Sequence, residues 1–361
     1  MGNFLKKSKE RRPPLSNIDE KGKTAPAAFG SGKKGGSNMR KRFIVYLLMV
    51  AAFDLLLISS GFSWGSATHA YMARVIGRWN LFVNSQEMYG LMAPDLFNYN
   101  FDLYGDMALR AFTHGMPGNE YFMAVWEKSR RIDGQKSLAL GYVAHNDVWG
   151  ADFTAHHRAL TITAPGDFPG NLEPGYVIIK AHLLNSDPTM DNYFKSLGLS
   201  NDNLEQLELR VEMCHQLVET AGDLIIRRHD PKIGEKIIVA AVLRNRSFPE
   251  LLIRAFGNEE YNRVIRQSEY QFRRLMIQYG AILSRPEPEA FQALAEEMAE
   301  LGVAFLKKFT GLEISPEQAL EITRYGIKKA LQLCAPDYMP EVRKTIEQVK
   351  TELKNHLVSD N

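Results

Sequence analysis

Eight of the nine histidines fall between His69 and His229, and several have a carboxylate at a spacing that shares one face of a helix. Imidazole nitrogen combined with carboxylate oxygen suits zinc or a similar divalent ion, and the absence of cysteine among these groups favours a catalytic over a structural site. In His215-Gln-Leu-Val-Glu219 the two polar residues flank an apolar stripe, where an unpaired carboxylate is costly to bury and a bound metal would offset that cost. A partly exposed ion pair is the competing reading of the same residues. The second element is Gly141-Tyr-Val-Ala-His145-Asn-Asp-Val-Trp-Gly-Ala-Asp152-Phe-Thr-Ala-His156-His157. On one continuous helix, offsets of seven and eleven point His145, Asp152 and His156 the same way, and His157 elsewhere.

Ligands need rigid elements to hold them. From Trp64 onward apolar residues recur at helical spacing and strand-like alternation is scarce, so an all-α, multi-helical single domain is expected. The spacing predicts helices over 71–79, 120–131, 137–155, 175–185, 261–283, 288–309, 316–334 and 340–356. A further helix, capped by Asp202, carries Leu204, Leu207, Val211, Cys214, Val218, Ala221 and Ile225 as one stripe. Residues 164–174, rich in Gly and Pro, read as a loop that could flank a site.

A hydrophobic share of 45% with 24% charged residues excludes global disorder. The net charge of +2 gives no basic face for specific double-stranded nucleic acid. Two cysteines, Cys214 and Cys334, exclude a disulfide scaffold and leave one bridge open. Residues 1–38 read as a disordered basic tail, upstream of an alternative start at Met39. Met39-Arg-Lys-Arg42 leads into an apolar run over 43–62, broken by Asp54 and followed by Ser63. Small residues at Gly61 and Ser63 suit signal cleavage before Trp64, and an uncleaved membrane anchor is the rival reading. Both export the domain, to the periplasm or the medium. Residues 64–244 are then expected to form the hydrolase core, with 245–361 as a C-terminal helical extension of the same domain.

Two motifs match on spacing and fail on context. Gly30-Ser-Gly32-Lys-Lys-Gly35 fits a dinucleotide fingerprint but lies in the polar tail. Gly61-Phe-Ser63-Trp-Gly65 fits the nucleophile elbow of a serine hydrolase, which needs a strand before it and strand–helix alternation after it.

The ordered set Trp64-Gly-Ser-Ala-Thr-His69, Ala93-Pro-Asp95, Phe112-Thr-His114, His145, Asp152, His156 and His215-x-x-x-Glu219 resembles the bacterial zinc-dependent phospholipase C family. It is similar as well to the related fungal zinc-dependent single-strand nucleases. The resemblance covers about Trp64 to Asp223 and implies an all-helical domain with up to three zinc ions. One ion would be held by Asp95, His114, His145 and Asp152, and a second by His156, His215 and Glu219. The third would use the Trp64 amino and carbonyl groups, His69 and a bridging Asp152. On this reading Asp95 also orients or deprotonates the attacking water, and Glu219 mainly fixes its metal. Cleavage after Ser63 would free the Trp64 amine, whereas a peptide nitrogen has lost its lone pair to resonance. Because those two donors are backbone groups, Trp64→Phe is expected to spare the metals.

The sequence departs from the family where an acid should stand four residues after His145: that position is Trp149, and Asp152 comes three residues later. Asp147 competes with Asp152, His157 with His156, and His182 with His215. The expected reaction is phospholipase C-like cleavage of phospholipid at a membrane surface. The alternatives are a single-strand nuclease or nucleotidase, a metal-binding domain without turnover, and a serine hydrolase using Ser63. Phe97, Tyr99, Tyr104 and Trp149 are candidates to line a head-group or base pocket, against a competing role in the core.

Overall fold

The computed structural model describes residues 64–77, 80–98, 106–116, 118–130, 134–164 and 173–357. The tail, the apolar run and the expected cleavage point at Ser63 lie outside the described residues, as does most of the 164–174 loop. Among the described residues every regular element is helical, and the only extended pairing is an isolated bridge between Met116 and Asn119. None of these helices is long and apolar enough to cross a membrane. Without a sheet, the described residues after Ser63 offer no frame for a nucleophile elbow.

Among the described residues the first elements are α1 (Ser66–Ile76) and α2 (Leu81–Met92), which runs directly into a 3₁₀ turn over Ala93–Phe97. Next come α3 (Met107–Thr113), α4 (Met123–Lys128), α5 (Gln135–His145) and α6 (Ala151–His156). Then follow α7 (Tyr176–Asn185), α8 (Pro188–Ser196) and α9 (Leu204–His229). The rest is α10 (Ile233–Leu243), α11 (Phe248–Phe256), α12 (Asn262–Leu283), α13 (Glu287–Thr310), α14 (Pro316–Cys334) and α15 (Tyr338–Leu357). Local chemistry sets many starts: Asn80 caps α2, Asp106 caps α3, and Asp187 followed by Pro188 opens α8. Asn203, rather than Asp202, caps α9 by accepting from the Gln206 amide.

Two expectations about helices need correction. The stripe on α9 begins exposed, with Leu204 63% accessible, and from Leu217 to Ile226 every residue is buried. This half of α9 is a central helix enclosed on all sides, not an amphipathic one. The helix expected over 137–155 is two helices. Asn146 breaks it: its side-chain oxygen accepts from the amides of Val148, Trp149 and Gly150, and its Nδ2 donates to Val143 O at 2.7 Å. These bonds satisfy a tight turn between the two helices. Cys214 and Cys334 are separate buried thiols rather than a bridge.

Residues beyond Arg244 pack into the same hydrophobic cluster that starts at Trp64. From α15, Tyr338 bonds Thr68 on α1, Thr345 bonds Thr154 on α6, and Glu341 accepts from the Leu160 and Thr161 amides.

The pairing that matters most for the site joins α2 to α5. Gly134 lies against Gln86, Gly90 against Leu138 and Tyr142, and His145 Nδ1 reaches Leu91 O, so the two helices run parallel. Their backbones touch: a Cβ on Gly90 would stand 2.1 Å from Leu138 O, and one on Gly141 2.1 Å from Glu87 O. Gly90→Ala or Gly141→Ala must separate the helices and is expected to lower stability by about 1–3 kcal/mol or more. Denaturant unfolding checks this, and an unchanged midpoint for both variants would contradict the close contact.

Candidate metal centre

Parallel helices α2 and α5 end together, and their ends carry chemistry. Asp95 sits in the 3₁₀ turn after α2, His145 is the last residue of α5, His114 follows α3, and Asp152 lies in the first turn of α6. One ligand atom from each of these four lies within 4.8 Å of the other three, and all four residues are buried. His145 Nε2 is 2.9 Å from Asp152 Oδ2 and 3.6 Å from Asp95 Oδ1, and His114 Nε2 is 3.3 Å from Asp95 Oδ1. A metal ion would fit among these donors. The set is the one the resemblance implies for its first zinc. It converges through the Asn146 turn, however, and not along one continuous helix.

Proton placement supports a cation here. His145 Nδ1 faces the Leu91 carbonyl at 2.8 Å, and a carbonyl only accepts, so that nitrogen carries the proton. Thr113 Oγ1 can give its single proton to Leu109 O at 3.0 Å and then accept from His114 Nδ1 at 2.6 Å. Both neutral imidazoles would then present bare Nε2 lone pairs, and these are only 3.2 Å apart. Such a contact repels unless a proton or metal sits between or beside them. Both oxygens of Asp152 are buried, and imidazole nitrogens of His69 and His145 stand closest to them.

Electrostatics agree with this arrangement. Burial raises Asp95, but His145 and His114 outweigh it and hold the carboxyl well below its ordinary range. Burial likewise opposes ionisation of Asp152, yet His145 and His69 bring it down to about 2. Burial would lower His145, but Asp152 and Asp95 raise it well above an ordinary histidine.

The remaining expected ligands lie around this group. His69 Nε2 is 3.3 Å from Asp152 Oδ1, so the Asp152 carboxylate faces His69 with one oxygen and His145 with the other. His156 and His215 meet edge to face at 5.4 Å, and His215 Nε2 is 2.9 Å from Glu219 Oε1. This set is looser than the first. Burial lowers His215, but Glu219 and Glu212 lift it to about 10, while burial, Asp95 and Glu212 raise Glu219. The three open alternatives separate clearly. Asp152 joins the four-residue group, whereas Asp147 bonds His156 Nδ1 at 2.7 Å. His156 is buried and His157 half-exposed, with His157 Nε2 3.7 Å from Asp147 Oδ1. Asp147, His156 and His157 form a second group able to hold a metal, at the edge of the site. His215 stands beside His156, while His182 is half-buried on α7 and belongs to neither group.

Trp64 is fully buried. Its indole stacks on Tyr176 at 5.5 Å, meets Tyr338 edge-on at 5.4 Å, and donates from Nε1 to Ala151 O at 2.9 Å, next to Asp152. Of the aromatic candidates, Phe97 and Trp149 belong to the core, and Tyr99 and Tyr104 lie outside the described residues.

One residue went unread in the sequence. Asp223 accepts from the Ala67 and Thr68 amides at 2.8 Å, from Thr68 Oγ1 at 2.7 Å and from Tyr279 OH at 2.6 Å. It thereby caps α1 and steadies His69. A Cβ on Gly65 would come within 2.6 Å of its carboxylate. Asp223 is the second carboxylate, after Glu219, in the buried stretch 217–226.

Comparison with family models, curated proteins and solved structures finds no match for this chain.

A metal ion at these groups must displace the protons that neighbouring carboxylates hold on His145 and His215, so metal affinity should rise with pH up to about 10, with proton release on binding. Calorimetry in buffers of different ionisation enthalpy measures this, and binding without proton release would contradict it. Trp64→Phe, expected to spare the metals, should still cost about 0.5–1.5 kcal/mol of stability through the lost indole hydrogen bond to Ala151 O, which keeps Thr154 Oγ1 as a donor. Thermal unfolding of the metal-free variant checks that value.

Proposed function

We propose that this protein is a zinc-dependent hydrolase of phosphodiester bonds, with phospholipase C-like cleavage of phospholipid as its reaction. The supporting observation is Asp152, fully buried, one oxygen 3.3 Å from His69 Nε2 and the other 2.9 Å from His145 Nε2. A carboxylate so placed suits a bridge between cations. The donors are nitrogen and oxygen without sulfur, which fits zinc at a catalytic site. Asp95, His114, His145 and Asp152 would hold one ion, His156, His215 and Glu219 a second, and His69 and Asp152 would contribute to a third.

Bound zinc supplies two things at such a site: it lowers the pKa of water, and it polarises phosphoryl oxygens. The side chains do the rest. Asp95 is held well below the ordinary carboxylate range, which makes it a weak base. Its task is therefore to accept a hydrogen bond and orient the attacking water. Thr113 and the Leu91 carbonyl fix the ring planes of His114 and His145, so their Nε2 atoms stay aimed at one point. The burial of Phe97 and Trp149 removes two candidates for a head-group pocket and for a base-stacking pocket alike.

The test is hydrolysis of phosphatidylcholine vesicles, a chromogenic phosphodiester and single-stranded DNA, each with chelator, without it, and after zinc is restored. Diacylglycerol and a phosphorylated head group should appear, vanish on chelation and return with zinc, and Asp152→Ala should abolish turnover. Cleavage of DNA in place of lipid would favour the nuclease. Zinc bound without turnover would leave a metal-binding domain, and turnover after verified metal loss would point to Ser63.

A further inference from the structure

Asp147 competes in sequence with Asp152 as the acid after His145, yet it lies outside the four-residue group and faces His156. The carboxylate is buried, and its Oδ1 accepts from His156 Nδ1 at 2.7 Å. That bond makes Nδ1 the protonated nitrogen of a neutral imidazole and leaves Nε2 as the one with a lone pair. His156 Nε2 is buried without a hydrogen-bond partner, on a ring packed edge-on against His215. On its other side, Asp147 Oδ2 is 3.3 Å from an Arg110 nitrogen, and the Asp147 amide donates to His114 O at 2.8 Å. Arg110 and His114 are four residues apart, so α3 delivers a guanidinium to Asp147 and an imidazole to the first metal group. His145 and His114 rest their Nδ1 atoms on neutral oxygens, whereas His156 rests on a charged one. A carboxylate behind an imidazole fixes its tautomer and strengthens it as a ligand.

We propose that Asp147, steadied by Arg110, is a positioning residue that aims His156 Nε2 at the second metal position beside His215 and Glu219. The proposal rests on the reading of the site as a zinc centre. Asp147 acts through His156 and touches no metal itself. It takes over part of what a ligand four residues after His145 would have done, because the Asn146 turn points it at α6 rather than at Asp95.

The experiment is zinc titration of the full-length protein, stripped of metal, against a chromogenic chelator. Wild type should bind more than one equivalent. Asp147→Asn and Asp147→Ala should weaken one equivalent about 10–100-fold and leave the rest unchanged. Arg110→Ala should weaken the same equivalent to a smaller degree, and Asp147→Glu should recover part of the affinity. His156→Ala should remove that equivalent, and adding Asp147→Asn to it should cost nothing more, since a positioning residue has nothing left to position. Melting curves of the metal-free variants separate this effect from misfolding, and Arg110→Ala carries the test if the Asp147 variants unfold. Wild-type affinity in Asp147→Asn would overturn the proposal while leaving the zinc centre intact. Additive losses in the double variant would make Asp147 an independent ligand and overturn it as well. A wild type that binds no zinc would sink the reading of the centre itself.

Discussion

Two carboxylates and two imidazoles, removed from water and brought within 4.8 Å of one another, depend on positive charge among them. Burial penalises the ionised form of each carboxylate, and here the neighbouring imidazoles outweigh that penalty at Asp95 and Asp152. In the metal-free protein protons on the histidines can supply the charge, and a divalent ion supplies more of it from one point. The rest of the structure arranges for these charges to be enclosed and immobile. The parallel α2–α5 contact brings two chain ends to one place, and it is close enough only because Gly90 and Gly141 have no side chains.

Elements distant in sequence close the remaining sides. Asp223 on α9 holds the start of α1, and Tyr279 on α12 bonds the same carboxylate. Tyr338 and Thr345 on α15 reach Thr68 and Thr154, each one or two residues from His69 or Asp152. Buried polar networks of this kind are favourable only when every member is satisfied. The C-terminal helices, which carry no ligand of the expected sets, therefore help fix where the ligands stand.

How much of this could be read beforehand depends on the range of the interaction. The all-helical class followed from apolar periodicity, and helices such as 316–334 were legible to the residue. The helices α2, α3, α8, α10 and α11 were not, because they are short or apolar on more than one face. Asp95, His114, His145 and Asp152 were nominated by residue type and order, and the structure brings them together. Offsets of seven and eleven would align His145, Asp152 and His156 on one helix, but the Asn146 turn breaks that helix, and His145 and Asp152 fall in one group while His156 falls in another. Asp223 left no local trace because its partners Ala67 and Thr68 are 156 and 155 positions away.

The Asn146 turn also explains how an acid seven residues after His145, three beyond the next helical turn, comes to face it. On an uninterrupted helix, three added residues rotate a side chain by about 300° and advance it by about 4.5 Å, which would carry Asp152 past its partners. Ending α5 at His145 and restarting at Ala151 decouples the two segments, so the direction of α6 is set by packing rather than by helical phase. Gly150 permits the sharp return, since a Cβ there would lie 2.6 Å from the His145 backbone. The same turn leaves Asp147 facing the His156 side chain instead of Asp95. A spacing that looks defective along the sequence thus becomes a division of labour in space, in which one acid faces the histidines of the metal-competent group and the other holds His156.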